Sequence, residues 1–298
     1  MCRGRGLRSS GGSWHAGSRT GRLGQTVVQT SLDERSEMPI DIALIGALHV
    51  EYLERRGLRE GEHPHHALFQ TSTIEALLDG NYEGDVSFAE LEDRGDFGLG
   101  TFDALDGEMI ALDGDFYQVR ADGRAYGVDR RSKTPFAVVT FFEPDLLRPL
   151  TNIEEFTTLC AHLDLVVEDR AVCHAVRVDG YFDYVKTRSV PRQHKPFPPL
   201  VEVVKHQPTF ELHGVRGSLA GFRFPDRVGG LNVAGYHFHF ISEDRRVGGH
   251  LLECRISRGE LRIEHEADLQ LELPAGVPVA APGMTAAKED ALKRAEGG

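Results

Sequence analysis

The sequence predicts an α/β protein of two domains, with mixed and antiparallel β-sheets, short helices, and a metal site on a β-hairpin of the C-terminal half. Three observations lead there. Asp-Gly pairs recur between short alternating runs, cap signatures open only short helical stretches, and one glycine-bounded segment carries histidines in alternation. Asp-Gly supplies the positive φ that a tight hairpin needs, so each pair marks a reversal between antiparallel strands.

The first residues stand apart. Residues 1–25 hold seven Gly and five Arg with no period that can bury a face, so nothing offsets the cost of ordering the backbone. We expect a disordered basic leader over 1–37, with Trp14 inside it and Met38 as an alternative start of translation. A mixed-sheet domain is expected over 38–163, and a β-rich, metal-binding domain with a C-terminal tail over 164–298.

Ser72 with Glu75, Ser87 with Glu90, and Asn152 with Glu155 have capping-box spacing ahead of apolar residues and predict three helices. Gly80 and Gly95 end the first two. Ile153, Phe156, Leu159, Cys160 and Leu163 follow a helical period, so the third helix lays one stripe on a sheet. Asp113-Gly114 joins 108–112 to 115–119, Asp122-Gly123 starts another reversal, and Asp179-Gly180 joins 175–178 to 181–186. Pro191, Pro196, Pro198 and Pro199 stiffen a crossing segment. Strands are expected over 200–205, 209–212, 236–241 and 249–255, with alternation continuing to Leu273. Residues 284–296 have helix-forming composition but a weak apolar face.

Composition narrows the function. With 298 residues, 40% apolar and 27% charged, the chain can bury a large core without staples. The net charge of −12 excludes nucleic acid and anionic membrane as main partners. Residues 1–38 carry +3, so the acidity belongs to the rest, and a small anionic ligand requires a local Arg or a metal. No apolar run reaches the 18–20 residues of a membrane helix, and the leader lacks the apolar stretch of a secretory signal. Four cysteines, Cys2, Cys160, Cys173 and Cys254, form no C-x-x-C pair and are read as reduced thiols of a cytoplasmic protein.

The chemistry concentrates between Gly229 and His250. On a strand, His237 and His239 project from one face. A tight reversal over 243–246 sets His250 directly across from His239, so three imidazoles converge. Three neutral imidazoles with open positions suit Zn²⁺ or another first-row ion in a catalytic rather than a closed structural site. His63, His65 and His66 around Pro64 are read instead as a solvated loop. No phosphate loop, nucleophile elbow or H-E-x-x-H helix is present.

Several separated blocks then resemble the α-acetolactate decarboxylase family: residues 95–102 (GDFGLGTF) with Leu105-Asp106-Gly107-Glu108, residues 185–192 (VKTRSVPR), Gly221-Phe222, and the histidine segment through Gly249-His250. The resemblance implies two α/β domains, commonly a homodimer, and zinc held by His237, His239 and His250. It further implies Glu108, Arg188 and Glu296 as catalytic residues, and Thr101 and Arg188 as substrate contacts. The implied reaction is metal-dependent conversion of the small molecule 2-acetolactate to acetoin and CO₂, with zinc stabilising an enediolate as Lewis acid. Either Glu108 or Glu296 is the proton donor. His194 and Arg223 depart from the family pattern.

A rival reading is a cupin-like metal-dependent oxygenase or small-molecule-binding module. His237-Phe238-His239 with Glu243 fits the opening of that pattern and makes Glu243 a ligand. The decarboxylase reading makes Glu243 a dispensable turn residue and His250 the ligand. A family member that binds metal without turnover is a third possibility, against which Glu108 and Arg188 argue.

Overall fold

The computed structural model describes residues 66–167, 169–266, 268–274 and 285–296. These described residues belong to one compact unit. The leader, Trp14, His63 and His65 lie outside the described residues.

After β1 (Ala67–Thr71) comes α1 (Ile74–Leu78), then β2 (Val86–Ser87), α2 (Phe88–Glu92) and β3 (Phe97–Thr101). A meander follows through β4 (Glu108–Leu112), β5 (Asp115–Val119) and β6 (Ala125–Gly127), and then β7 (Lys133–Thr134) and β8 (Ala137–Thr140). Next are β9 (Leu146–Ile153), α3 (Phe156–Val166), β10 (Cys173–Arg188), α4 (Leu200–Val203) and β11 (Thr209–Phe224). The chain closes with β12 (Gly235–Ser242), β13 (Gly248–Glu266), β14 (Asp268–Glu272) and α5 (Ala286–Glu296).

Two main sheets result. One has seven strands in the order β14-β1-β8-β3-β4-β5-β6, antiparallel except for the parallel β1–β14 pair. The other has five, and β10 pairs with both β11 and β13 while β12 bridges β11 and β13, so four strands close on themselves. The chain crosses between the sheets at both ends. Strand β9 joins the second sheet and β14 returns to the first, so a cut at residue 163 separates neither sheet from the other.

Alternation decides which residues meet. Phe97 and Leu99 of β3, with Ile110 and Leu112 of β4, face Ala220, Phe222 and Phe224 of β11 in the shared core, which also holds side chains of α1, α4 and α5. The opposite face of the first sheet packs Met109 and Ala111 on Phe88 and Leu91 of α2. The opposite face of the second packs Val178, Phe238 and Phe240 with Leu159 and Leu163 of α3. Each fully buried aromatic or leucine contributes about 1.5–3 kcal/mol relative to exposure. The inter-sheet core therefore clamps the two faces that carry the site.

The Asp113-Gly114 hairpin joins the expected strands in full, and Ser87 with Glu90 forms a complete capping box. Other expectations give way. Thr73 rather than Ser72 caps α1, and α3 starts after Glu155 with no side-chain cap. Asp179-Gly180 makes no turn: it lies inside the continuous β10, where Gly180 opposes Gly217 and Gly259. A Cβ on Gly180 would stand 2.7 Å from the Arg258 carbonyl oxygen, so this glycine serves close strand approach instead of reversal. Residues 200–205 begin as helix α4, because Leu200 and Val203 at helical spacing bury together in the inter-sheet core. The segment 286–296 nonetheless forms helix α5, and among its described side chains Leu292 and Ala295 are the buried ones.

Candidate metal centre and catalytic pocket

His237 and His239 lie on the face of β12 opposite Phe238 and Phe240, which are buried in the α3-side core. The β12–β13 reversal, with Ser242 accepting from Arg245 N and donating its own N–H to Val247 O, puts His250 directly opposite His239. One ligand atom from each of His237, His239 and His250 falls within 4.8 Å of the others, and all three residues are buried. His237 Nε2 and His250 Nδ1 are 3.0 Å apart. Two donors bound to one zinc at its usual distances in a tetrahedral array stand about 3.3 Å apart, so the spacing suits a shared ion.

The tautomer of His239 follows from its partner. Its Nδ1 lies 2.7 Å from the Met109 carbonyl oxygen, which can only accept, so Nδ1 carries the proton and Nε2 presents a lone pair. That Nε2 is buried, makes no hydrogen bond, and sits 3.6 Å from Glu108 Oε2. An orphaned buried nitrogen among converging imidazoles fits a metal ion. Burial first, and the charge of Arg188 second, push His237 down to about 3; burial also holds His239 well below its ordinary value. Both of these imidazoles are thus disposed to be neutral, as ligation requires.

The first sheet supplies the opposite wall. Glu108 shares a face of β4 with Ile110 and Leu112, and its cross-strand partner is Thr101 of β3. Arg188, the last residue of β10, places Nη1 3.3 Å from Glu108 Oε1 while its own Nε makes no hydrogen bond. Thr101 Oγ1 donates to Gly107 O at 2.7 Å, so it braces the turn before Glu108 and has only acceptor capacity left for a ligand. These residues and the three histidines line one cavity of about 40 Å³, walled on its apolar side by Ile74, Leu77, Leu105, Phe136, Val190 and Leu200.

The apolar wall escaped sequence reasoning. Ile74 and Leu77 signal only a buried helix stripe, and nothing local marks Val190 or Leu200 as lining. Met109 escaped as well, because its carbonyl rather than its side chain orients His239. Glu243 is an exposed residue of the β12–β13 turn, hydrogen-bonded through its N–H to Arg216 O, and does not join the histidines. That removes the fourth ligand on which the cupin-like reading depended. His194 is exposed, and Arg223 is tied to the Arg170 carbonyl and Asp164; neither lines the cavity. Glu296 is the last residue of α5, and its side chain lies outside the described residues.

Fold and site define a mixed α/β protein with a buried three-histidine, metal-capable centre held between two sheets. The family model for α-acetolactate decarboxylase matches residues 68–278. The α-acetolactate decarboxylase of Methylococcus capsulatus is 47% identical over 212 residues, 71% of this chain and 82% of that protein; that of Methanosarcina mazei is 48% identical over 208, 70% and 72%. The crystal structure of the Bacillus subtilis strain 168 enzyme superposes with a TM-score of 0.74 at 37% identity, covering 78% of this chain and all of that one. The chain belongs to the α-acetolactate decarboxylase family, a family of carboxy-lyases.

Proposed function

We propose that this protein converts 2-acetolactate to acetoin and CO₂ in the cavity between its sheets, with zinc as the ion held by His237, His239 and His250. The observation that carries this reading is the convergence of three buried imidazoles with Arg188 and Glu108 on one small cavity, in a chain of this family.

In the reaction the bond between the carboxylate carbon and the carbinol carbon breaks. Its electron pair passes to the neighbouring ketone, CO₂ leaves, and a proton is then delivered to carbon. A zinc ion at the three histidines supplies Lewis-acid stabilisation of the negative charge that develops on the substrate oxygens. Arg188 binds the carboxylate or the developing oxyanion through its unpaired Nε–H, a planar donor set that lysine does not reproduce. Glu108, held by Arg188 and facing His239 Nε2, exchanges the proton. Thr101 accepts from the substrate hydroxyl. Ile74, Leu77 and Leu200 exclude water from the carbanion equivalent and receive the alkyl groups.

Glu296 closes the site from α5. The support is that Leu292 and Ala295 of that helix are buried in the core shared with α1 and α4, the two helices that wall the cavity. A homodimer and a cytoplasmic location complete the proposal. Among the described residues no helix is long and apolar enough to cross a membrane, and light scattering of the purified protein tests the dimer.

The reaction is tested by following acetoin from racemic 2-acetolactate before chelation, after chelation and after zinc restoration. Turnover that disappears with the metal and returns with zinc supports the proposal. A folded, metallated protein that forms no acetoin overturns it.

A further inference from the structure

A second set of donor side chains meets where the chain enters β1. We propose that His66, Asp145, Glu264 and His265 form a second divalent-cation site, which takes Zn²⁺ or a similar borderline ion and ties the start of β1 to the end of β13. None of the four lines the catalytic cavity.

His66 immediately precedes β1, Asp145 immediately precedes β9, and Glu264 and His265 are neighbours on β13. One ligand atom from each of His66, Asp145 and His265 lies within 4.8 Å of the others. His66 Nδ1 is 4.0 Å from Asp145 Oδ2 and 3.3 Å from Glu264 Oε1, and His265 Nδ1 is 2.5 Å from Asp145 Oδ2. The two imidazole rings stack at 4.6 Å.

Glu264 points to a ligand independently of the cluster. Its side chain is fully buried, Oε2 accepts from Glu143 N at 2.7 Å, and Oε1 makes no hydrogen bond although it faces His66 Nδ1. His66 Nδ1 likewise makes none. A buried polar atom without a partner is costly, and one cation between Oε1 and Nδ1 satisfies both.

The donor set is two imidazole nitrogens and two carboxylates, with no thiolate. That combination suits four-coordinate Zn²⁺ and disfavours soft ions. Exposure rises from the buried Glu264 through His66 at 33% and Asp145 at 39% to His265 at 52%, so the site opens to solvent on one side. Loading exchanges the Asp145–His265 hydrogen bond for two metal bonds, and the proton on His265 Nδ1 passes to Nε2 as the ring changes tautomer. His66 O also accepts from Asp268 N at 3.2 Å, so the ion reinforces the corner where β14 and β1 meet β13.

The full chain is stripped with chelator, dialysed at micromolar free Zn²⁺, and its bound zinc counted by mass spectrometry. The same is done for the double variant Asp145→Asn/His265→Ala and for the milder His66→Gln. We expect both variants to hold one equivalent fewer than wild type while retaining acetoin formation. We also expect saturating Zn²⁺ to raise the wild-type thermal midpoint further than theirs, by roughly 5–10 °C at a hundredfold excess over Kd. Equal zinc content in wild type and folded His66→Gln overturns the proposal and leaves an ordinary ion-pair cluster. Failure of the catalytic reading is distinct, because it shows as absent turnover at any zinc content.

Discussion

Arg188 Nη1 stands 3.3 Å from Glu108 Oε1, each side chain less than one-tenth exposed, and the pair joins the end of β10 to the start of β4 across the two sheets. Breaking a buried pair by removing one partner costs about 3–5 kcal/mol, because a charge is left uncompensated. Arg188→Lys keeps the charge but loses the planar fork. We expect it to remain folded in urea melts and to lose about 10²–10³-fold in kcat. Near wild-type turnover in Arg188→Lys would remove the requirement for the planar guanidinium.

Gly249 has φ +136°, and a Cβ there would lie 2.4 Å from the Arg188 carbonyl oxygen. Backbone strain of this kind costs on the order of 1–3 kcal/mol before the clash is counted. Gly249→Ala should therefore lower the unfolding midpoint and, by displacing His250, reduce zinc retention after dialysis. Metal content read alongside the melt separates this outcome from simple destabilisation.

Lys288 Nζ of α5 reaches Glu75 Oε1 at 2.6 Å and Asp79 Oδ2 at 2.8 Å, latching the terminal helix to α1. Partly exposed pairs contribute about 0–1 kcal/mol, so Lys288→Ala should barely change global stability. It should instead lower kcat/KM, by loosening the helix that carries Glu296. A chain ending at Ala295 tests Glu296 itself: full turnover in that chain excludes a role for this residue.

His174, buried on β10, is pushed down to about 4, by burial foremost and then by the charges of Arg223 and His265. Its imidazole titrates near 6.5 in the unfolded chain, so between these values the unfolded state binds more protons than the native state. Stability present above about pH 6.5 is lost as the pH falls towards 4. The loss attributable to His174 is on the order of 3 kcal/mol. Urea melts at pH 7 and pH 4.5 should show a smaller drop for His174→Gln than for wild type, and equal drops would assign the acid sensitivity elsewhere.

Local signals carried well where one side-chain period or one turn governs the outcome. The Asp113-Gly114 hairpin and the opposition of His239 to His250 needed only strand alternation and a short reversal. Asp179-Gly180 misled because a glycine that permits a turn also permits close strand approach, and only the neighbouring Gly217 and Gly259 decide between the two. The loop reading of His66 made no allowance for Asp145 and Glu264, which approach it from distant positions in the chain.

By itself the sequence determined the strand-rich mixed class, the three-histidine hairpin and the family, because each rests on spacings within a few tens of residues. Tertiary structure alone decided that Glu108 and Thr101 of one sheet face Arg188 and the histidines of the other, that Met109 O orients His239, and that α1 and α4 wall the cavity. Those relations depend on how two sheets pack around a shared apolar core, and no local period encodes that packing.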